Sequence, residues 1–528
     1  RPEGERREAG EQRNANQAPP AGQAAARAAA TETRQFPAGS YIVRMDQPYS
    51  RIADALLDYQ YWSPRDPQQQ PYDDTGWTFG ELYNVQVVRV TDQKVLDAAM
   101  ERVGGPVRAR GGVEGTGTVF VVNHNGDDAL VTLRYRLKGA EMLAAEEPFN
   151  AAGHSFNRGS FIIRGVAAAE LNRVTTDLDL RTIALADIPA VKTHPVRAAR
   201  VALLHSWLST QDEGWWRMAF DKLQIPYDYI STQDVSRDAN LNAKYDVIVF
   251  APVGRGPQSV VAGMPMWGNP IPWKTTTLTP NIGKIDSTDD MRPGLGDSGL
   301  ANLRAFVRRG GLLVTATDTS SLAITFNLTQ GVSASQPQRM KLVGSVLRAK
   351  FVDLTSPIAY GYSDTLSVYA DDPPIFGLTN VAGGRGGRRG GGETERETGR
   401  GTASDPDVVQ GRPPAEIPEE PHAEVWEALP LGEEQARNNP YVIPPSMRPR
   451  VVLRYGEARD LLVSGLLDQG GELAQRAAVV DVPVERGHVV LFSNNPVWRG
   501  ETHGSYFLVF NAILNFDNLN AGRKLDQR

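Results

Sequence analysis

The sequence predicts a mixed protein of the α/β and α+β classes, in which a β-rich α+β module is followed by a mainly parallel α/β sheet domain. Three observations lead there. From Arg197 onward, short apolar runs alternate with stretches of helical periodicity, the pattern of parallel strands joined by crossover helices. Before Arg197, residues 36–196 hold short β-branched and aromatic runs bounded by Gly, Asn and Pro. The composition is globular, with 41% hydrophobic and 22% charged residues, and 528 positions exceed the usual length of one folding unit.

Residues 1–35 are rich in Arg, Glu, Gln and Ala and hold no aliphatic residue larger than Ala, so burial cannot offset the entropy of ordering them. They read as a disordered arm or linker. Apolar patterning begins at Phe36; Tyr41-Ile42-Val43 reads as a strand, and Ile52, Ala53, Leu56 and Leu57 have helical spacing. Phe36-Pro-Ala-Gly-Ser-Tyr-Ile-Val-Arg44 is echoed by Phe156-Asn-Arg-Gly-Ser-Phe-Ile-Ile-Arg164, which predicts an internal repeat of turn and strand within 36–196. Gly115 to Val122 and Ala129 to Leu137 have strand composition around Asn125-Gly126, the signature of a hairpin.

The second domain opens with the strand Val201–Leu204 and a helix over about 213–223. Strands follow at 227–230 and 245–250, then the helix 300–309, which Gly310 should close in a left-handed cap, and the strand 312–315. Residues 252–295 lack periodicity and read as a lid or an ordered loop. Residues 382–420, with their Gly/Arg-rich run and acidic tail, read as a disordered insertion. Strands at 451–453, 461–466, 478–482 and 488–492 and a helix over 506–516 complete a domain made of 197–380 plus 449–516, and 517–528 is a tail.

Several functions are disfavoured. A net charge of -6 gives no attraction to phosphate backbones, and the Arg-Gly run has no interleaved aromatics, so nucleic acid is not an expected partner. No apolar stretch of about 18 residues spans a bilayer. The absence of cysteine removes disulfides, thiolate metal sites and thiol nucleophiles. The chain starts at Arg1 without a signal peptide, as expected of a processed or internal start. Asp73-Asp74, Asp127-Asp128 and Asp371-Asp372 adjoin Pro or Gly, where carboxylates serve turn backbones.

A set of phrases in order along 36–516 resembles the region that follows the catalytic domain in large bacterial carboxypeptidase A-like zinc peptidases. They are Tyr41-Ile-Val-Arg-Met-Asp-Gln-Pro48, Pro71-Tyr-Asp-Asp-Thr-Gly-Trp-Thr78, Asp212-Glu-Gly-Trp215, Pro357-Ile-Ala-Tyr-Gly361, Gly487-His-Val-Val-Leu-Phe492 and Arg499-Gly-Glu-Thr-His-Gly504. Peptidase chemistry in that family needs a zinc held by two His and one Glu, the first pair spaced H-x-x-E. None of the seven His here has Glu three residues later; His124 has Asp127 there, within the Asn-Gly turn. No catalytic residue carries over, and no cofactor is expected in this chain; zinc belongs to a separate or upstream catalytic domain. The resemblance implies an exported protein, periplasmic or extracellular.

The stretch from Arg197, rejoined by 449–516, also resembles the class I glutamine amidotransferase-like fold, whose active members carry a Cys nucleophile on a sharp turn after a strand. Asp318-Thr319-Ser320-Ser321 follows a strand here without the G-x-S-x-G glycines. Ser320 is weighed as a nucleophile served by His205 or His503 and, in preference, as a helix N-cap. Thr210-x-x-Glu213 has capping-box spacing. Ligands in open α/β sheets sit beyond the carboxyl ends of the strands, so His205, Trp207, Asp212, Glu213, Asp318, Arg499 and His503 are the candidate ligand-binding residues, against a purely structural retention of the same edge. The leading function is a non-catalytic accessory or scaffold portion whose partner is a peptidase domain, upstream or on a separate chain. The alternatives are a structural or surface-assembly protein that self-associates, and a ligand-binding or hydrolase domain using the sheet edge.

Overall fold

The computed structural model describes residues 33–65, 71, 73–382, 424–429, 431 and 438–524. Most of the N-terminal arm, the Gly/Arg-rich insertion from 383 to 420 and residues 525–528 lie outside the described residues.

The described residues between 36 and 111 form a ribbon with two short α-helices, α1 (Ser50–Leu57) and α2 (Phe79–Leu82). The strand expected at Tyr41–Val43 is not formed, whereas its echo Phe161–Arg164 is a strand. The difference lies in the neighbours: 161–164 pairs on both sides, and the same pattern without partner strands has nothing to complete its ladder. The ribbon instead docks at its middle, where the Gln60 amide donates to Ser464 Oγ, the Thr75 and Gly76 amides donate to the Gly344 carbonyl, and Thr78 Oγ1 donates to Ser464 Oγ. Gly76 is required because the Ser464 backbone occupies the space where a side chain would begin.

The next strands are β1 (Gly112–Glu114), β2 (Val119–Val122), β3 (Glu141–Ala145), β4 (Phe149–Ala151), β5 (His154–Phe156), β6 (Phe161–Arg164), β7 (Arg181–Leu185) and β8 (Thr193–Pro195). Six of them make one sheet in the order β1-β7-β2-β6-β3-β8, in which only β1 and β7 are parallel, and β4 and β5 form a separate hairpin. Two helices cross one face, α3 (Ala129–Arg136) and α4 (Ala168–Asp177). Residues 129–137 were expected as the second strand of a hairpin and are this helix instead. Leu130, Leu133 and Leu137 fit a 3.6-residue repeat and not an alternation, which holds only over Leu133, Tyr135 and Leu137; Asp127 Oδ1 accepts the Ala129 amide, and the buried Arg134 guanidinium donates to the carbonyls of Leu137, Lys138 and Ala140, satisfying the end of the helix.

The second sheet has twelve strands. β9 (Val201–His205), β10 (Tyr227–Ser231), β11 (Val247–Phe250), β12 (Leu312–Ala316) and β20 (Gly487–Phe492) are parallel, in the order β10-β9-β11-β12-β20. Their near-continuous apolar character matches burial on both faces. Beyond β20 the sheet continues antiparallel through β19 (Ala477–Val484), β17 (Arg450–Tyr455), β14 (Lys341–Phe351) and β15 (Thr365–Ala370), with β13 (Val332–Ser335), β16 (Ile375–Leu378) and β18 (Leu462–Asp468) off that path. The fold class is therefore mixed α/β and α+β, with a parallel core extended by antiparallel strands.

The helices of this region are α5 (Gln211–Lys222), α6 (Thr232–Arg237), α7 (Pro257–Ala262), α8 (Gly296–Arg308), α9 (Asp318–Thr325) and α10 (His503–Leu514). Gly310 has φ +109°, and the Gly311 and Gly310 amides close the end of α8 on the carbonyls of Phe306 and Val307, the cap that glycine favours. One core packs α3 to α5 and α10 between the two sheets, and a second lies on the opposite face of the larger sheet against α8 and α9. Every residue of α10 from Ser505 to Leu514 is buried. After it the chain stays docked: Leu519 is buried and Arg523 donates to Asp481 Oδ2 at 2.8 Å.

Candidate functional site

β9 sits between β10 and β11, and the chain leaves β9 through α5 to reach β10 on one side while β11 and β12 lie on the other. This is the switch point of the parallel sheet, where connections diverge and leave a crevice beyond the carboxyl ends. His205 ends β9, Trp207 follows it, Asp212 and Glu213 lie in the first turn of α5, and Asp318 opens α9 after β12. Five of the seven candidate residues thus lie along one edge.

His205 is 1% exposed, and its Nε2 hydrogen-bonds Asp286 Oδ2 at 2.7 Å. Its ring stacks on Tyr229 at 4.2 Å and meets Trp207 edge-on at 4.9 Å. The Tyr229 hydroxyl donates to Glu213 Oε2 at 2.8 Å, and burial pushes the Glu213 carboxyl up despite that bond. Thr210 makes no side-chain cap, so the expected capping box with Glu213 is absent because Glu213 is turned to Tyr229. A box does form one element later, where Ser231 and Asp234 cap α6 reciprocally.

Asp318 accepts the Val253 amide at 3.1 Å and the Thr317 hydroxyl at 3.0 Å, while burial raises its carboxyl. Asp212 is pushed up to about 6, first by burial and then by the negative charges of Asp318 and Asp371. Asn494, just beyond β20, is fully buried with neither amide atom bonded. It lies between Phe492, whose carbonyl takes the Thr317 amide, and Asn495, whose side chain accepts from Trp216, one turn along α5 from Asp212.

The remaining two candidates are committed elsewhere. Arg499 donates to Asp73 Oδ1 at 2.6 Å and Asp74 Oδ2 at 3.1 Å, pinning the ribbon. Asp74 also accepts from Tyr369 and Trp498, so Asp73-Asp74 is more than a turn motif. His503 Nδ1 pairs with Asp128 Oδ2 at 2.7 Å and its ring packs against Tyr83 and Tyr506. His124 is likewise no hairpin tip: it is buried, with Nε2 on Asn511 Oδ1 at 3.0 Å.

Ser320 is neither the N-cap nor a candidate nucleophile. It lies inside α9, fully buried, with its hydroxyl donated to the Phe492 carbonyl. The strand-to-helix turn belongs to Thr317, at φ 51° and ψ -112°. A β-branched residue there is strained by roughly 1–3 kcal/mol. Its hydroxyl is donated to Asp318, and the two histidines considered as bases are held by Asp286 and Asp128. Thr317→Gly should relieve the strain and raise unfolding stability by about 1 kcal/mol, after the greater chain entropy of glycine is subtracted; a urea midpoint at or below that of the native chain would show that the turn is unstrained.

Residues 252–295, apart from the short helix α7, are an ordered loop over this edge. Asp286 reaches His205, Gln233 Nε2 donates to the Asp290 carbonyl, and the buried Arg292 donates to Asp290 and to the carbonyls of Trp267 and Gly268. Sequence reasoning missed Thr317, Tyr229, Asp286 and Asn494. Thr317 had a signal, being the first residue after an apolar strand; Asp286 had none, because its loop lacks periodicity.

Among the described residues no three His, Cys, Asp or Glu side chains form a group able to hold a metal ion, and no helix is long and apolar enough to cross a membrane. No family model matches the chain, and no curated protein does. Among solved structures, it is similar to PurLQS from Thermotoga maritima with a TM-score of 0.29 and 15% identity, covering 60% of this chain and 98% of that one. A ThuA-like protein from Bacteroides uniformis matches with a TM-score of 0.27 and 8% identity, over 62% of this chain and 92% of that one. A glutamine amidotransferase from Thermotoga maritima matches with a TM-score of 0.22 and 11% identity, over 34% and 64% respectively. None of the three is a carboxypeptidase, and likenesses this distant carry no argument about function.

Proposed function

We propose that this chain is a non-catalytic accessory portion of an exported zinc carboxypeptidase-like protein, whose N-terminal ribbon receives a folded peptidase domain. The observation that supports this reading is the distribution of exposed apolar side chains. Among the described residues, seventeen of the twenty-seven large hydrophobics that face solvent lie between Phe36 and Val107, including Tyr41, Ile42 and Trp62. Scattered exposed apolar residues are ordinary, whereas this concentration on one segment marks an interaction surface.

The ribbon is also pre-ordered. Its ties to Gly344, Ser464 and Arg499 fix the backbone before any partner arrives, which lowers the entropy lost on docking. The zinc and its two His and one Glu would come with the partner, and the phrases shared with the post-catalytic region of such peptidases support that choice of partner over an unrelated one.

Mixing the chain with a purified catalytic domain of a large bacterial carboxypeptidase A-like peptidase tests this. The expected result is a one-to-one complex with amide-exchange protection across 41–62. Replacing Ile42 and Trp62 with Asp and Ala should weaken it at least about tenfold, or 1.4 kcal/mol. No complex, together with a dimer of the chain alone, would favour surface assembly instead.

A further inference from the structure

Within the loop 252–295, residues 271–288 fold back on themselves as a finger. Trp273 and Thr288 exchange amide-to-carbonyl bonds at 2.9 and 3.0 Å, and the Met291 amide donates to the Ile271 carbonyl. Nearer the tip, Gly283 lies so close to the other arm that a side chain on it would begin 2.6 Å from the Lys274 Cα. Every residue from Pro265 to Asn281 is exposed, and Leu278 at the tip is 91% exposed. Trp273 and Ile285 are exposed lower on the finger, as is Trp267 at its root, where Arg292 holds its carbonyl. A concentration of apolar side chains in solvent marks an interaction surface, and two features of the finger identify what it meets.

The first is the placement of charge. No Asp or Glu occurs between Asp246 and Asp286, and residues 275–283 carry no charge at all. Lys274 and Lys284 flank that tip, one on each arm, at the level where Gly283 meets Lys274. The nearest carboxylates in sequence lie on the root side and are engaged, Asp286 by His205, Asp289 by Lys274 and Asp290 by Arg292. The Lys274–Asp289 pair is solvent-exposed, so its ammonium exchanges that partner for another anion at little cost. At physiological salt the chain's overall charge of -6 is screened beyond about 8 Å, which leaves the two lysines to act locally.

The second is that the tip closes its own hydrogen bonds. Thr276 and Thr279 exchange backbone bonds, the Leu278 amide donates to Thr276 Oγ1, and the hydroxyls of Thr275 and Thr279 donate to the carbonyls of Ile282 and Lys274. Pro280 has no N–H to satisfy. A protein groove reads free polar groups, at about one hydrogen bond per 100–200 Å² of interface. A bilayer offers none and accepts backbone that is bonded within itself. Four residues lead from Lys274 to Leu278, a reach of at most about 13 Å. That suits the roughly 5–10 Å to which interfacial segments enter the boundary of headgroups and acyl chains. The polar side chains of Thr277 and Asn281 keep the tip at that boundary, and Trp273 beside Lys274 is the residue type that headgroup level favours.

We propose that the finger of residues 271–288 docks the chain on a phospholipid bilayer, with the uncharged tip around Leu278 entering the headgroup boundary and Lys274 and Lys284 meeting lipid phosphates. The surface is separate from the ribbon of residues 36–111 and does not depend on what that ribbon binds.

Co-sedimentation of the full chain with unilamellar vesicles at physiological ionic strength tests it, one set made of phosphatidylcholine and the other of equal parts phosphatidylethanolamine and phosphatidylglycerol. The native chain should partition saturably onto both, and more strongly onto the second. Leu278→Asp should weaken partition onto both about tenfold. Because Leu278 already faces solvent, that variant should keep the native circular dichroism spectrum. Lys274→Glu combined with Lys284→Glu should erase the preference for phosphatidylglycerol, and Ile42→Asp combined with Trp62→Ala, in the ribbon, should leave partition unchanged. The proposal fails if the native chain sediments with neither vesicle, if Leu278→Asp partitions as the native chain does, if the lysine variant keeps the preference, or if the ribbon variant alone loses partition. A native dimer that Leu278→Asp dissociates, with no binding to vesicles, would assign the finger to a protein contact instead.

Discussion

Replacing Asp481 with Ala should destabilise the protein by roughly 3–5 kcal/mol, the usual cost of removing one member of a buried ionic group. Asp481 is fully buried in β19, where its Oδ1 takes His488 Nδ1 at 2.6 Å and its Oδ2 takes Arg523 at 2.8 Å. Burial alone would raise its carboxyl, yet His488, Arg523 and Arg450 hold it below the ordinary range. Without it, the buried Arg523 loses its carboxylate bond and His488 Nδ1 its partner, while Arg450, its partner across the ladder, still bonds Asp353. The change should show in denaturant midpoints and in faster proteolysis of residues 517–524, which Arg523 anchors. Asp481→Asn should cost less, because an amide still accepts one bond. A loss under about 1 kcal/mol in Asp481→Ala would mean that water reaches the network.

Below neutral pH, His124 should withdraw stability from the fold. Burial holds its imidazole down to about 4, although the Asn511 bond opposes that shift. Its folded value lies below the ordinary 6.5, so protonation favours the unfolded chain. The contribution is complete above about pH 6.5 and is lost as pH falls toward 4. At 1.36 kcal/mol per unit, the loss is about 3 kcal/mol. The raised carboxyls of Glu501, at about 7, and Asp212, at about 6, act in the opposite direction over an overlapping range. The comparison is therefore between the native chain and His124→Gln: their stability difference should shrink by about 3 kcal/mol from pH 7 to pH 4, and a constant difference would refute the assignment. At pH 7, Asn511→Ala should itself cost about 3 kcal/mol, since Asn511 bonds His124 and the carbonyls of Ile358 and Tyr360 from within α10.

The parallel strands were legible because burial on both faces demands unbroken apolar runs: Leu312–Ala316 and Gly487–Phe492 can serve little else. Ala129–Arg136 was misread because Leu133-Arg134-Tyr135-Arg136-Leu137 alternates like a strand, and Arg134 turning back onto carbonyls is a tertiary fact that no window shows. The strand expected at Tyr41 failed for the converse reason, a good local pattern without partners. At the site, the rule of strand ends located His205, Trp207, Asp212, Glu213 and Asp318 correctly on one edge. It could not separate Arg499 and His503, which follow β20 but are drawn away by Asp73 and Asp128 from distant segments.

The pairing of β12 with β20 has a consequence for how the chain acquires its structure. Leu312 and its neighbours meet a partner strand that begins at Gly487. At synthesis rates of about 5–20 residues per second, β12 leaves the ribosome roughly 10–30 s before β20 exists. During that interval β9 to β12 can assemble, but β12 stands as an open apolar edge, able to pair with the same strand of another nascent chain. Closure at that distance also carries a large loop entropy, which slows it relative to local pairing. The yield of native protein from dense polysomes is thus set by how long that edge is shielded, and a holding chaperone acting between residues 312 and 492 would matter more than one acting on the finished chain.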